Sequence, residues 1–213
     1  MAIKVIPKDG NVKGKTLPEY IVEFWQALCP IPKGNNPAWL NDGKKDKSFN
    51  DSVGADLYML SPSMNPQATV TRKIEVPSGK GLFIPVVPVE VSECETDLPL
   101  IAAANKDQAS IHPPSLSLKL DGSPIDLDPY KFKANDIDEF EVNFPAPNDA
   151  IFKIKEDFTG PCNARAAGRY VWTEPLSPGE HTVQYSGELH CAPPGECIET
   201  NYKENITYNI TVS

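Results

Sequence analysis

Long apolar runs are missing from the 213-residue chain: it has no stretch of about 18 apolar residues, so no membrane-spanning helix is expected. Basic residues are in the minority, 20 Lys and Arg against 29 Asp and Glu, for a formal net charge of -9. That balance argues against a nucleic-acid partner, because phosphates select clustered Lys and Arg. Paired Cys-x-x-Cys spacings, a Gly-x-Ser-x-Gly elbow and a phosphate-cradling glycine loop are also missing. Zinc-finger, hydrolase-nucleophile and nucleotide chemistry are therefore left without a motif. Histidine is scarce, with three in the chain and no His-x-His pair of the kind a cupin-like site uses.

Proline, by contrast, is abundant. The 22 prolines are about a tenth of the residues, roughly twice the usual share. They exclude long helices and a parallel-sheet α/β design, since proline breaks helices and cannot donate within a central strand. Hydrophobic residues at 40% are too many for a disordered chain. The expected fold is mainly β, an antiparallel β-sandwich or jelly roll with one N-terminal helix, as a single domain over residues 1–213.

The helix is expected at about 16–29. Thr16-Leu17-Pro18-Glu19 reads as a capping box with Thr16 bonding the Glu19 amide, and Leu17, Tyr20, Ile21, Phe24, Trp25 and Leu28 recur at the spacing of one helical face. Pro30 ends it, and residues 30–54 read as a polar, lysine-rich loop. Strands follow from residue 55 onward. Alternation or β-forming composition marks 55–60, 68–76, 115–120, 140–144, 151–154, 168–173, 181–185 and 206–212, and a short helical turn fits 98–105. The run 81–87 is interrupted by Pro85, which places it at an edge or a bend.

Five cysteines stand at 29, 94, 162, 191 and 197. Cys191 and Cys197 bracket Ala-Pro-Pro-Gly-Glu, a turn that favours a disulfide across it, and Cys94 with Cys162 makes a second candidate pair. Cys29, at the end of the helical pattern, reads as a buried free thiol. Asn50, Asn205 and Asn209 each open an Asn-x-Ser/Thr sequon. Together these features point to a protein of the secretory route or cell envelope. Met1-Ala2-Ile3-Lys4 carries no apolar leader, and a chain that begins after a removed leader reconciles the two.

Candidate chemistry is thin. His112, His181 and His190 offer imidazoles to zinc or copper. Asp126, Asp128, Asp136 and Asp138 offer oxygens to calcium, although their spacing is not that of an EF-hand and a solvated acidic surface is the favoured account of them. Among the aromatics, Trp39 lies in a loop, while Tyr170 and Trp172 are assigned opposite strand parity so that one of them faces out. Exposed rings of this kind stack on sugars, so carbohydrate or another cell-surface component is the candidate partner.

Several segments resemble a poorly characterised group of predicted secreted bacterial and archaeal β-sandwich proteins. They are Phe24-Trp25-Gln26 leading to Pro32 and Asn36-Pro37; Arg72 with Val76-Pro77-Ser78-Gly79-Lys80 and Phe83-Ile84-Pro85-Val86; Leu176 to Val183; and Tyr208 to Val212. Where that group tends to carry a cysteine and a second tryptophan, this chain has Ala27, Leu28 and Cys29. The resemblance implies a sandwich fold and export, and it transfers no catalytic residue. The functional expectation is an exported, non-catalytic binding or structural module without a cofactor, calcium excepted. The alternative is a jelly-roll enzyme acting on extracellular polysaccharide with the help of a metal.

Overall fold

A computed structural model describes residues 3–40, 43–64, 69–156, 160–190 and 202–213. The first helix, α1 (Leu17–Leu28), buries Leu17, Tyr20, Ile21, Phe24, Trp25 and Leu28. A capping box between Thr16 and Glu19 opens it, as expected. The Thr16 hydroxyl and backbone N–H both donate to Glu19 Oε2, each at 2.7 Å. Those bonds hold the Glu19 carboxyl below its ordinary pKa.

The stretch 30–54 is not a loop. It contains α2 (Pro37–Leu40) and α3 (Gly43–Val53). The second of these shows little apolar periodicity because it buries only Asp46, Phe49 and Asn50. What fixes it is tertiary: Arg72 and Tyr208 reach Asp46 from far along the chain, and the Met59 N–H donates to Asn50. A fourth helix, α4, runs over Leu100–Ala109, longer than the turn expected at 98–105. The expectation of a single helix is thus corrected.

Ten strands form two five-stranded sheets among the described residues. The first contains β1 (Leu57–Met59), β3 (Gly81–Ser92), β6 (Lys131–Phe132), β7 (Phe140–Val142) and β8 (Cys162–Trp172), in the order β1-β3-β8-β6 with β7 also on β8. The second contains β2 (Thr69–Val76), β4 (Ser117–Leu120), β5 (Ser123–Pro124), β9 (Gly179–Leu189) and β10 (Tyr202–Val212), in the order β2-β10-β9-β4-β5. Neither sheet is purely antiparallel, because β1 runs parallel to β3 and β2 runs parallel to β10. Residues 151–154 form no strand despite their alternation, and Ile151, Phe152 and Ile154 bury their side chains from irregular backbone. Asp121 and Gly122 turn β4 into β5 with φ of 48° and 77°, the left-handed pair that a two-residue hairpin requires.

β3 is an interior strand rather than an edge. Its prolines are tolerated because β1 pairs with it only as far as Phe83, and because its register with β8 shifts between Val86 and Val89. In that bulge Val87 adopts φ 47°, an unusual value for a β-branched residue. Two glycines make the room. A Cβ on Gly168 would lie 2.8 Å from the Val87 carbonyl oxygen, and one on Gly187 only 2.1 Å from Val87 Cγ2. Every residue of β3 is buried, since the strand meets both α4 and β9 of the other sheet.

Cys94 and Cys162 form a disulfide, with Cα atoms 5.9 Å apart, that ties the end of β3 to the start of β8. Cys29 is a buried free thiol, and burial pushes its pKa well up, which leaves it inert. The Cys191–Cys197 pairing lies outside the described residues. No helix of the described residues is long and apolar enough to cross a membrane.

Candidate functional site

Two of the three histidines meet at one end of β9. An antiparallel bridge between Ile111 and Leu189 aligns the segment after α4 with the end of that strand. Around it the His112 N–H donates to the Glu188 carbonyl and the His190 N–H to the Ser110 carbonyl, both at 2.8 Å. His112 therefore stands opposite Glu188, while Glu188 and His190 are two residues apart and share a sheet face. The imidazole rings are stacked, with centroids 5.0 Å apart and planes 4° from parallel.

The side chains close the group. His190 Nε2 is 2.9 Å from Glu188 Oε2, and Lys203 Nζ pairs with the other oxygen, Oε1. These two bonds, Lys203 first, hold the Glu188 carboxyl below its usual range. Ser115 anchors the neighbouring turn: its Oγ donates to the His112 carbonyl at 2.7 Å and accepts the Glu188 N–H at 2.8 Å. One ligand atom from each of His112, Glu188 and His190 lies within 4.8 Å of the others, and the two histidines are exposed.

His181 is not part of this group. It is buried where β4 turns, with Nδ1 2.8 Å from Asp121 Oδ2 and Nε2 2.9 Å from the Ser177 carbonyl. Both ring nitrogens are engaged with protein acceptors, so the residue works as a brace between two turns. Asp126, Asp128, Asp136 and Asp138 are all exposed. Asp126 accepts the Asp128 N–H, and Asp136 accepts the Lys133 N–H and pairs with Lys8 at 3.6 Å. Among the described residues the structure brings together no third ligand beside any of them.

The aromatic candidates divide in the same way. Trp39 is half-buried, and the Lys33 ammonium sits 3.6 Å from its ring centroid. Tyr170 and Trp172, two residues apart, share a face rather than opposing each other, and both are fully buried. Tyr170 accepts a bond from Trp25 Nε1 at 3.0 Å, and Trp172 Nε1 donates to the Pro7 carbonyl at 2.9 Å. Neither ring offers a sugar platform. Of the sequons, Asn50 is sealed in, with its side chain bonded to Met59 and Asp46, whereas Asn205 and Asn209 lie on the outward face of β10.

A second set of titratable groups is sealed inside. Arg72 of β2 donates to the Ser61, Pro62 and Pro37 carbonyls and lies 3.5 Å from Asp46 Oδ1. It also bonds to the Tyr208 hydroxyl, which donates to Asp46 Oδ1 at 3.0 Å. Burial raises Asp46 to about 6 in spite of the arginine. Glu204 accepts bonds from the Tyr202 hydroxyl at 2.7 Å and from the Val87 N–H at 2.8 Å, which is what holds the strained bulge. Its carboxyl is pushed up to about 7 by burial.

Glu90 lines a small chamber of about 20 Å³ with Met64, Asp107, Phe152 and Tyr202, room for a single water. Neither of its oxygens meets a hydrogen-bond donor among the described residues, and burial followed by the neighbouring Glu95 raises its pKa strongly.

No protein-family model, curated protein or solved structure matches this chain. Glu188 is the member of the surface group that sequence reasoning missed. Its alternation with His190 was the available signal, but the partner across the ladder, His112, is 76 positions away and nothing local marks it.

Proposed function

We propose that the chain is an exported, non-catalytic binding or structural module of the extracellular space or cell envelope, built as a single domain with its two sheets stacked as a sandwich. The observation that carries this reading is the Cys94–Cys162 disulfide, because such bonds persist in oxidising compartments and not in a reducing cytosol. The net charge of -9 keeps such a domain soluble and turns it away from anionic polymers. Non-catalytic binding is favoured because Asp46, Glu90 and Glu204, the carboxyls most strongly raised, sit in the interior, where no polymer reaches them. Carbohydrate or another cell-surface component is the class of partner.

A second reading, a jelly-roll enzyme acting on extracellular polysaccharide, draws on one observation: an imidazole pair beside a carboxylate at the surface. One experiment separates the two. Protein made through an oxidising export route is offered neutral and acidic polysaccharides, with binding and released reducing ends measured together. Retention without turnover supports the module. Saturable turnover supports the enzyme. Reduced thiols at Cys94 and Cys162 in protein recovered from its native compartment overturn the export assignment.

A further inference from the structure

We infer that His112, Glu188 and His190 form a surface site for a divalent first-row transition-metal ion of the zinc or copper class. The donor set is two imidazole nitrogens and one carboxylate oxygen. Imidazole suits zinc, copper and nickel, whereas calcium and magnesium want an all-oxygen shell. Among the described residues, His112, Glu188 and His190, and not the aspartates of 126–138, are therefore the metal-binding resource.

The backbone under the site is fixed. The Ile111–Leu189 bridge and its two flanking 2.8 Å hydrogen bonds set the spacing of the three Cα atoms, so binding need not order a loop. Only side chains must adjust. Zinc bonds of about 2.0–2.1 Å in a tetrahedron place donor atoms about 3.3 Å apart. The observed atoms lie within 4.8 Å, so exposed rings close on the ion by rotation about their own χ angles. Three ligands from the described residues leave a further tetrahedral position for a water or another ligand.

Two contacts occupy the donors meanwhile. His190 Nε2 is bonded to Glu188, and Lys203 sits on the other Glu188 oxygen. An ion takes the place of the first contact at Oε2, while the Lys203 ammonium on Oε1 stays beside it, repels it and draws charge from the carboxylate. Lys203 thus weakens the site, and its removal should strengthen it. A group that merely stacked two rings and paired a surface lysine has no reason to behave so.

The test uses the full chain with oxidised cysteines, titrated with zinc chloride by calorimetry and checked by native mass spectrometry, with calcium chloride as the control. One zinc per chain is expected, and no calcium at the same concentrations. His112→Ala should weaken zinc binding at least about tenfold, since even outer-shell changes cost that much. Lys203→Gln should tighten it several-fold. Both substitutions lie on the surface, and circular dichroism confirms that each variant folds.

Absence of stoichiometric zinc, or zinc held equally well by His112→Ala, overturns the inference. The second outcome also assigns the ion to other ligands of the chain. The binding-module reading fails on polysaccharide turnover and this inference fails on zinc, so neither result decides the other.

Discussion

The two faces of β9 and β10 treat polar side chains in opposite ways. Facing inward, Tyr185 and Tyr208 join Arg72 and Asp46 around the Ser61 carbonyl in a buried network, and Glu204 lies buried on the same face with its own bonds to Tyr202 and Val87. Facing outward at one end, Glu188, His190 and Lys203 pair in the open with His112 alongside. The inner network shows the larger pKa displacements, Asp46 to about 6 and Glu204 to about 7. Displacement there measures burial and not use: desolvation is the first cause for both groups, and each is bonded to structural partners. Perturbed titration is often taken as a sign of function, and here the more serviceable chemistry lies where donors converge and remain reachable.

Removing the arginine is the strongest way to break the inner network. Arg72→Ala leaves Asp46 without its counter-charge and strips donors from the Ser61, Pro62 and Pro37 carbonyls. A loss of about 3–5 kcal/mol is expected, the usual cost of breaking a buried pair by deleting one partner. Urea unfolding followed by tryptophan fluorescence measures it. A loss below about 1 kcal/mol would mean that Asp46 takes up a proton and the site relaxes around it.

Proton linkage gives the next largest effect. Asp46 and Glu204 release protons near 3.8 and 4.5 in ordinary surroundings but near 6 and 7 in the fold. Between those values the folded chain binds more protons than the unfolded one, so stability declines as pH rises. A decline of roughly 2–4 kcal/mol between pH 5 and pH 8 is expected from these two groups. Glu204→Gln, which keeps an acceptor for the Val87 N–H, should remove the larger part of that slope. A flat profile in the parent protein would show that both carboxyls ionise in place.

Much of the fold was legible where one segment decides its own structure. Leu17, Tyr20, Ile21, Phe24, Trp25 and Leu28 recur at helical spacing, and that face is buried. The alternation in 206–212 likewise matches the burial of Ile206, Tyr208, Ile210 and Val212. What the sequence hid depends on distant partners. Polar α3 becomes a helix over a buried Asp46 whose cation is 26 positions further on. The parallel pairing of β2 with β10 joins Val70 to Ile206, and no periodicity reports strand direction. For the surface site, the three histidines are candidates in the sequence, but the carboxylate that joins His112 and His190 follows only from the Ile111–Leu189 bridge, and the exclusion of His181 only from its burial against Asp121 and Ser177.

Gly187 separates the two regions by one residue, since it faces Val87 while Glu188 faces solvent. A Cβ at Gly187 would stand 2.1 Å from Val87 Cγ2 and 3.0 Å from Leu116 Cδ2. Val87 cannot easily retreat, because Glu204 holds its N–H in the bulge. Gly187→Ala should cost roughly 1–3 kcal/mol, the range for overpacking a filled interior, and thermal unfolding reads it. A neutral result would show that the bulge at Val87 is softer than its neighbours suggest.

The smallest effect is expected from the outer group, and its smallness is the point. In metal-free buffer His112→Ala removes an exposed ring stacked on another exposed ring, together with no backbone bond, since the bonds of residue 112 run through its N–H and carbonyl. The change in unfolding free energy should stay within about 0.5 kcal/mol, as for surface positions in general. A loss above 1 kcal/mol would give the stacked histidines a structural role like that of Arg72 and erase the contrast between the regions. A near-zero change in stability would instead place these side chains outside the demands of folding. Their convergence on Glu188 then needs a reason other than stability, which ligand binding supplies.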